Sequence, residues 1–480
     1  MMNRAGLDQL QLGNRFGQLP EALYSPVTPQ PLKNPFLVAF STDAAALIGL
    51  DPCQASAQQL SEYFGGHRLL PGSEPLASVY SGHQFGGYTA QLGDGRAALL
   101  GDLPGADGQR WELQLKGSGK TPFSRHADGR AALRSVIREY LASEALAALG
   151  VPTTRALCII GSETQIYRES IEFAASMVRL SPSHIRFGHF EYFYYTRQPE
   201  QLKQLADFVI EHHYPHCYVS ENPYLALYSE VVERTAKLIA RWQVLGFCHG
   251  VMNTDNMSIL GLTLDYGPFG FLNEYQPAYI CNRSDEHGRY AYQQQPSVAM
   301  WNCVCLAQSL SGLVKKTDLE RALNRFEPVY AVAYTEQMKL RLGMDDKTLQ
   351  DGDLIETFLQ LLQQTKADYN DAFLALQQWV IGDPEPITTL LGESEPVADW
   401  LQRYRTRIGA NAAELMSQYN PRIVLRSYLA QQVIERAEQG DFNDLAQLHA
   451  ALREPYKAHL EIYSQGSSDS GKNVSLSCSS

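Results

Sequence analysis

The chain has 480 residues, 44% of them hydrophobic and 19% charged, with a formal net charge of −12. That length supports two or three lobes around sizeable cores, and the acidic balance argues against a nucleic-acid partner. No apolar run approaches the ~18 residues of a membrane span, and eight cysteines without a CxxC pair make neither a disulfide framework nor a zinc ribbon.

In chain order, the opening Met1-Met-Asn-Arg-Ala-Gly-Leu-Asp8 has neither a secretory core nor a transit-peptide pattern, so a cytoplasmic protein with no membrane association is expected. Residues 1–75, broken by Pro20, Pro26, Pro29, Pro31 and Pro35, read as an irregular extension wrapped on the core. Residues 76–200 read as strand-rich, with strands at 97–100, 111–115, 156–160 and 163–167 punctuated by glycines. Within them a helix is predicted over 130–149, opened by Asp128-Gly129 and closed by Gly150. Leu133, Val136, Ile137, Tyr140 and Leu141 give it one apolar face, and a second face of small residues predicts burial on two sides.

Residues 201–460 read as helical, with helices at 201–211, 225–245, 297–313, 319–342, 354–380 and 423–438. The Ser-rich residues 461–480 read as a mobile tail. Strands followed by helices predict an α+β chain of two-lobed, protein-kinase-like fold, with terminal extensions and a site in the cleft.

The most informative stretch is His249-Gly-Val-Met-Asn-Thr-Asp-Asn256, followed by Asp265-Tyr-Gly267. In the kinase pattern H-R-D-L-x-x-x-N, a base Asp follows the His by two residues and a metal-binding Asn by seven. Here Asn256 keeps its place, but Val251 stands where the base belongs and Asp255 sits beside Asn256. The displacement points to nucleotide chemistry other than ordinary phosphorylation. Asn256 and Asp265 offer hard oxygen donors for Mg²⁺, and Asp255 is the candidate base. Ser258–Leu260 and Leu262–Leu264, either side of Gly261, predict a short hairpin leading to Asp265.

Lys116 ends the strand Trp111-Glu-Leu-Gln-Leu, where a kinase-like sheet presents a phosphate-reaching lysine. Glu139 is its expected carboxylate partner; Glu144 competes, with a buried structural role as its alternative. Gly93-Asp-Gly-Arg96 forms a turn whose glycines let backbone amides approach a phosphate; alone it is also an ordinary hairpin turn. Asp128-Gly129 reads as a nucleotide contact or a helix cap, and Arg179 and Arg186 as phosphate clamps or surface ion pairs. Gly117-Ser-Gly-Lys-Thr121 is not a P-loop, because Gln114 replaces the first glycine and Pro122 interrupts the following helix. His212-His-Tyr-Pro-His-Cys217 lacks a second ligand pair, and Asn473-Val-Ser475 is a sequon only in a secreted protein.

Taken together, Ser81-Gly-His-Gln-Phe-Gly-Gly87, Gly93–Arg96, Gln114-Leu-Lys-Gly117, Thr121-Pro-Phe-Ser-Arg125, Asp128-Gly-Arg130, His249–Asn256 and Asp265-Tyr-Gly-Pro-Phe-Gly270 resemble the selenoprotein O (SelO/YdiU) family over nearly the whole chain. The family is described as kinase-like protein adenylyltransferases. The resemblance implies ATP bound in a flipped orientation and AMP transfer to Ser, Thr or Tyr hydroxyls of proteins, self-modification included. It implies nucleotide contacts from Gly93, Gly95, Arg96, Lys116, Asp128, Gly129, Arg179, Arg186 and Asp265, and Mg²⁺ (or Mn²⁺) on Asn256 and Asp265. Asp255 is then the proton acceptor, and Lys116 is held by Glu139. It also implies a redox disulfide between Cys281 and Cys478. The alternatives are UMP transfer from UTP with Mn²⁺, ordinary phosphorylation, and a non-catalytic pseudokinase scaffold.

Overall fold

Glycine- and proline-punctuated strands dominate up to Ser181 and helices dominate beyond it in the computed structural model, which describes residues 5–345, 351–459 and 476. The strands of the first part are β1 (Tyr24–Pro26), β2 (Phe36–Phe40), β3 (Leu76–Ser78), β4 (Gly82–Gln84), β5 (Gly87–Thr89), β6 (Ala97–Pro104), β7 (Arg110–Lys116), β8 (Ala131–Ala132), β9 (Arg155–Gly161), β10 (Gln165–Tyr167) and β11 (Ile171–Ser181). With them are helices α1 (Thr42–Leu47), α2 (Ala57–Phe64) and α3 (Leu133–Ala148). Nine strands make one antiparallel sheet in the order β1-β3-β6-β7-β11-β9-β2, with β8 and β10 also paired to β11. β4 and β5 form a separate hairpin.

The segment expected to be irregular donates both outermost strands of that path, β1 and β2. Its Leu7, Leu10, Leu60 and Phe64 cover one sheet face, packing with Leu113 and Leu115 of β7. Alternation along β7 sends Glu112, Gln114 and Lys116 to the opposite face. These three are buried polar groups, so each needs a partner there. The same period in β11 puts Val178 and Leu180 under the extension and turns Arg179 toward Gln114, its register partner.

Helix α3 starts at Leu133 rather than Arg130, because Ala131 and Ala132 are spent as β8, pairing with β11. Asp128 therefore does not cap it. As its two-faced pattern predicts, α3 is buried on both sides: Val136, Ile137 and Tyr140 join the core with Ala156, Ile159 and Met177 of the sheet, and Tyr140 meets His449 from the C-terminal helices, ring centroids 4.8 Å apart. Glu144 is the structural acid. Arg155 donates twice to its carboxylate at 2.8 Å, and Ser41 Oγ (2.8 Å) and Ala156 N (3.2 Å) complete the set.

The helical part begins with α4 (Phe187–Tyr195), which its aromatic run had hidden, and continues with α5 (Pro199–His213) and α6 (Pro223–Leu245). Asn222 caps α6 through the amides of Tyr224 (3.0 Å) and Leu225 (3.1 Å), with Pro223 at the first helical position. Gly246 at φ +70° ends α6 where a Cβ would strike the Tyr369 ring at 2.7 Å, turning the chain into β12 (Phe247–Cys248), which pairs with β13 (Gly270–Phe271). Helix α7 (Gln295–Ser309) follows. The single helix expected over 319–342 is two, α8 (Lys316–Leu323) and α9 (Phe326–Arg341). That expected over 354–380 is α10 (Gly352–Thr365) and α11 (Tyr369–Val380), because Lys366 turns left-handed at φ +54° and Asp368 caps a new start. The remainder is α12 (Glu385–Leu391), α13 (Glu395–Arg405), α14 (Ala412–Tyr419), α15 (Ser427–Glu438) and α16 (Asn443–Leu452). Among the described residues, no helix is long and apolar enough to cross a membrane.

Removing the Glu144 carboxylate leaves the Arg155 guanidinium, Ser41 and the Ala156 amide without their acceptor. Glu144→Ala is expected to lower the unfolding free energy by about 3–5 kcal/mol, measured by denaturant titration.

Candidate active site

Between the polar face of the sheet and the loops after α6 lies a cavity of about 700 Å³, a size suited to a nucleotide. Seven cationic side chains line it (Arg96, Lys116, Arg125, Arg130, Arg168, Arg179 and Arg186), against the carboxylates of Asp94, Asp128, Asp255 and Asp265. An acidic chain thus concentrates positive charge in one recess, the signature of a polyanion site.

At its base runs a chain of ion pairs. Lys116 Nζ bonds Glu139 Oε2, Arg179 Nε donates to Glu139 Oε1 at 2.5 Å, and Arg179 NH2 meets Asp265 Oδ1 at 2.6 Å. Arg186 takes Asp265 Oδ2 and also donates to the Asp255 carbonyl at 2.9 Å. Glu139 is thus the partner of Lys116, as expected. Burial pulls the Lys116 ammonium down to about 8 against the support of Glu139. Despite burial, the two guanidiniums hold the Asp265 carboxyl well below the usual carboxylate range. Arg179 and Arg186 are buried, not surface arginines.

The loop after α6 is built on His249, which is buried and stacked on Trp242 (centroids 5.2 Å, 24°). Its Nε2 donates to Leu264 O at 2.9 Å while Nδ1 accepts from Val251 N at 3.3 Å, and burial keeps the ring neutral. His249 therefore shapes the loop. The hairpin expected at 258–264 does not form: Ser258 bridges to Arg186, and Thr263 bridges to Thr153. Asp265 takes a left-handed φ of +58°.

Asn256 Nδ2 is tied to Val251 O at 2.9 Å, so Oδ1 is the end of the amide that could serve a cation. With the Asp265 carboxylate this gives two hard oxygen donors at one wall, which fits Mg²⁺ or Mn²⁺. Asp255 is buried. Gln84 Nε2 reaches its Oδ2 at 3.3 Å, while Oδ1 has no hydrogen-bond partner. Burial pushes this carboxyl up to about 7.

The remaining expected nucleotide contacts, Gly93, Gly95, Arg96, Asp128 and Gly129, all line the cavity, with some changes of duty. The amides of Asp94 and Gly95 donate to Ser78 O (2.9 Å) and Gly93 O (2.7 Å), so they face inward rather than toward a phosphate. The glycines serve close approach instead: a Cβ on Gly93 would lie 2.6 Å from the Phe123 ring, and one on Gly95 would lie 2.8 Å from Phe123 O. Arg96 is left exposed at the cavity wall. Asp128 accepts two bonds from Arg168 (2.8 and 2.9 Å), and Gly129 at φ +72° packs on the Gly119 backbone. Arg125 and Arg130 close the motifs Thr121–Arg125 and Asp128–Arg130 but were given no role, and Arg168, an isolated arginine, was missed.

Hairpin 82–89 was also missed, although its motif was conspicuous. His83 N donates to Thr254 Oγ1 (2.7 Å) and Phe85 N to Tyr290 OH (2.8 Å), which pins the hairpin over the Asp255 loop. Beneath it the fully buried Glu191 of α4 accepts from Thr254 Oγ1 (2.5 Å) and pairs with His83 Nδ1 (2.7 Å). Cys281 is buried against the same loop, its Sγ 3.5 Å from that of Cys248. Cys478 lies outside the described residues. Leu476, two positions before it, bridges to Asn282 and accepts from Arg283 N at 2.8 Å.

The family model described as protein adenylyltransferase SelO matches residues 7–453. The chain belongs to the SelO/YdiU family. It is 48% identical to the protein nucleotidyltransferases YdiU of Pseudomonas fluorescens (strain Pf0-1, 488 residues aligned) and Ectopseudomonas mendocina (strain ymp, 485 residues aligned), with 99% of each chain covered. The Pseudomonas aeruginosa protein of the same name matches at 48% over 489 residues, also with 99% coverage. As a SelO/YdiU member the chain is a nucleotidyltransferase, and a pure scaffold is set aside.

A carboxyl raised from 3.8 to about 7 favours the protonated form in the native state. The stability it contributes is whole below pH ~4 and is lost as pH rises to ~7. In metal-free buffer, Asp255→Asn is therefore expected to melt above the wild type, by a margin that widens between pH 4 and pH 7 and is flat beyond. Thermal melts across that range measure it.

Proposed function

We propose that this chain transfers AMP from ATP to Ser, Thr or Tyr hydroxyls of proteins, itself included, and releases pyrophosphate. One observation carries the reading: the buried Asp255 carboxyl, its Oδ1 unpartnered against Gly82, lines the same cationic cavity as Lys116, Arg179, Arg186 and Asp265. In this reading the acceptor oxygen attacks the α-phosphorus, the bond from that phosphorus to the bridging oxygen breaks, and Asp255 takes the hydroxyl proton. Lys116, Arg96, Arg179 and Arg186 neutralise the charge that builds on the leaving pyrophosphate. Gly93, Gly95, Asp128 and Gly129 shape the wall that the nucleotide lies against.

Asn256 Oδ1 and the Asp265 carboxylate would hold Mg²⁺, which when bound supplies charge neutralisation and orientation to the phosphate oxygens. Val251, at the position of the usual kinase base, supports attack at a phosphorus other than the terminal one. The overall arrangement we propose is kinase-like and two-lobed: residues 76–200 and 201–460 as the lobes, 1–75 and 461–480 as extensions, and the cytoplasm as its setting. A disulfide between Cys281 and Cys478 would act on the Asp255 loop; the seating of Leu476 beside Asn282 supports it.

Incubation with α-labelled ATP or UTP, read by intact mass, tests the transfer. AMP adducts and released pyrophosphate are expected; UMP adducts alone, or phosphate-sized adducts with ADP, would replace the reading. Asp255→Ala is expected to lose transfer by about 10²-fold or more while binding nucleotide, and Asp265→Ala to lose both transfer and metal-dependent binding. Peptide mapping of the oxidised protein is expected to find Cys281 joined to Cys478, and a Cys248–Cys281 link instead would redirect the redox assignment.

A further inference from the structure

Against hairpin 82–89, with no lining residue in common with the nucleotide cavity, lies a second recess of about 350 Å³ bounded by His287, Arg289, Gln294, Ser297 and Trp301. The Arg289 guanidinium lies over the Trp301 ring, 4.6 Å from its centroid, and its Nε is buried without a hydrogen-bond partner. The neighbouring acid, Asp285, is spent on backbone, accepting from the amides of Arg289 (2.9 Å) and Tyr290 (2.7 Å). Among the described residues, no carboxylate pairs with Arg289. A stacked guanidinium with no acid partner, facing a recess of side-chain size with hydroxyl, amide and imidazole groups, is built to receive an anion.

Hairpin 82–89 links the recess to the nucleotide cavity, Gly86 touching Arg289 while Gln84 and Phe85 line the cavity. Gly86 packs on Arg289, its Cβ position 3.3 Å from the guanidinium carbon. One residue earlier, Phe85 N donates to Tyr290 OH, which in turn donates to Asn253 Oδ1 at 2.6 Å. Gln84 reaches Asp255 and, with Phe85, lines the nucleotide cavity. Phe85 and Tyr88 are 43% and 36% exposed, giving the hairpin an aromatic outer surface over which a polypeptide can lie.

We propose that the Arg289–Trp301 recess holds an acidic side chain of the acceptor polypeptide, close in sequence to the hydroxyl that receives the nucleotide. This rests on the transfer to proteins argued above and adds a specificity-determining residue to it. A chain that offers a hydroxyl to Asp255 crosses the hairpin, and Arg289 is the cation it meets beside it.

The test uses the full chain, α-labelled ATP and synthetic peptides carrying one Tyr, Ser or Thr, flanked by Glu, Ala or Lys. Glu-flanked peptides are expected to show kcat/KM about tenfold above Ala-flanked ones, from one charge-assisted hydrogen bond, with the gain in KM. Arg289→Ala is expected to erase the preference, Arg289→Lys to restore part of it, and Arg289→Glu to shift it toward Lys-flanked peptides, with ATP affinity unchanged in all three. Equal rates for Glu and Ala peptides, an acidic preference that survives Arg289→Glu, or a loss of ATP affinity in the variants would each overturn the proposal. If the wild type labels neither peptide nor protein, the transfer reading itself fails and takes this inference with it.

Discussion

The alternating row of charges Lys116, Glu139, Arg179, Asp265 and Arg186 ties the sheet, a helix and the loop after α6 to one another. Each member comes from a different element: the end of β7, the middle of α3, β11, the loop after β12 and the entry to α4. Ions removed from water need compensating charge and hydrogen bonds, and a row left one member short strands its neighbours. The sheet, the helix crossing it and the loop below must therefore come together in one arrangement. The hydrophobic surroundings add stability without that directional demand. The extension at residues 5–75 serves the same end: by covering the apolar face of β7 and β11 it leaves their polar face turned to the cavity.

Much of the site was legible because its members lie in short, ordered motifs. Asn256 and Asp265 follow His249 at recognisable spacing, and Lys116 closes a strand whose alternation was plain. Glu139 could be chosen over Glu144 because helical periodicity set them on different faces, and the structure gives each the role that its face implied. Helix α6 was legible as 225–245, two residues short of its start at Pro223.

What escaped was decided by partners far along the chain. Residues 130–132 have helical character, yet the backbone of β11 claims two of them. Ser258 and Thr263 look like a hairpin, yet each finds a distant strand-like partner in Arg186 or Thr153. The breaks at Asn324 and Lys366 interrupt apolar patterns that continue across them. Glu191 and His83 are 108 positions apart, and only folding brings them together under the Asp255 loop. Glycines 93 and 95 were recognised, but whether a glycine admits a ligand or a phenyl ring is a question about Phe123, which sequence spacing does not answer.

The double clamp on Asp265 carries a thermodynamic consequence. Both carboxylate oxygens already accept from guanidiniums, so a cation arriving by itself must compete with two arginines for the same electrons. In the proposed reading, a polyphosphate that draws those arginines onto its own oxygens would remove the competition and free the carboxylate for the ion. Affinity for either ligand would then rise in the presence of the other, a coupling reciprocal by linkage.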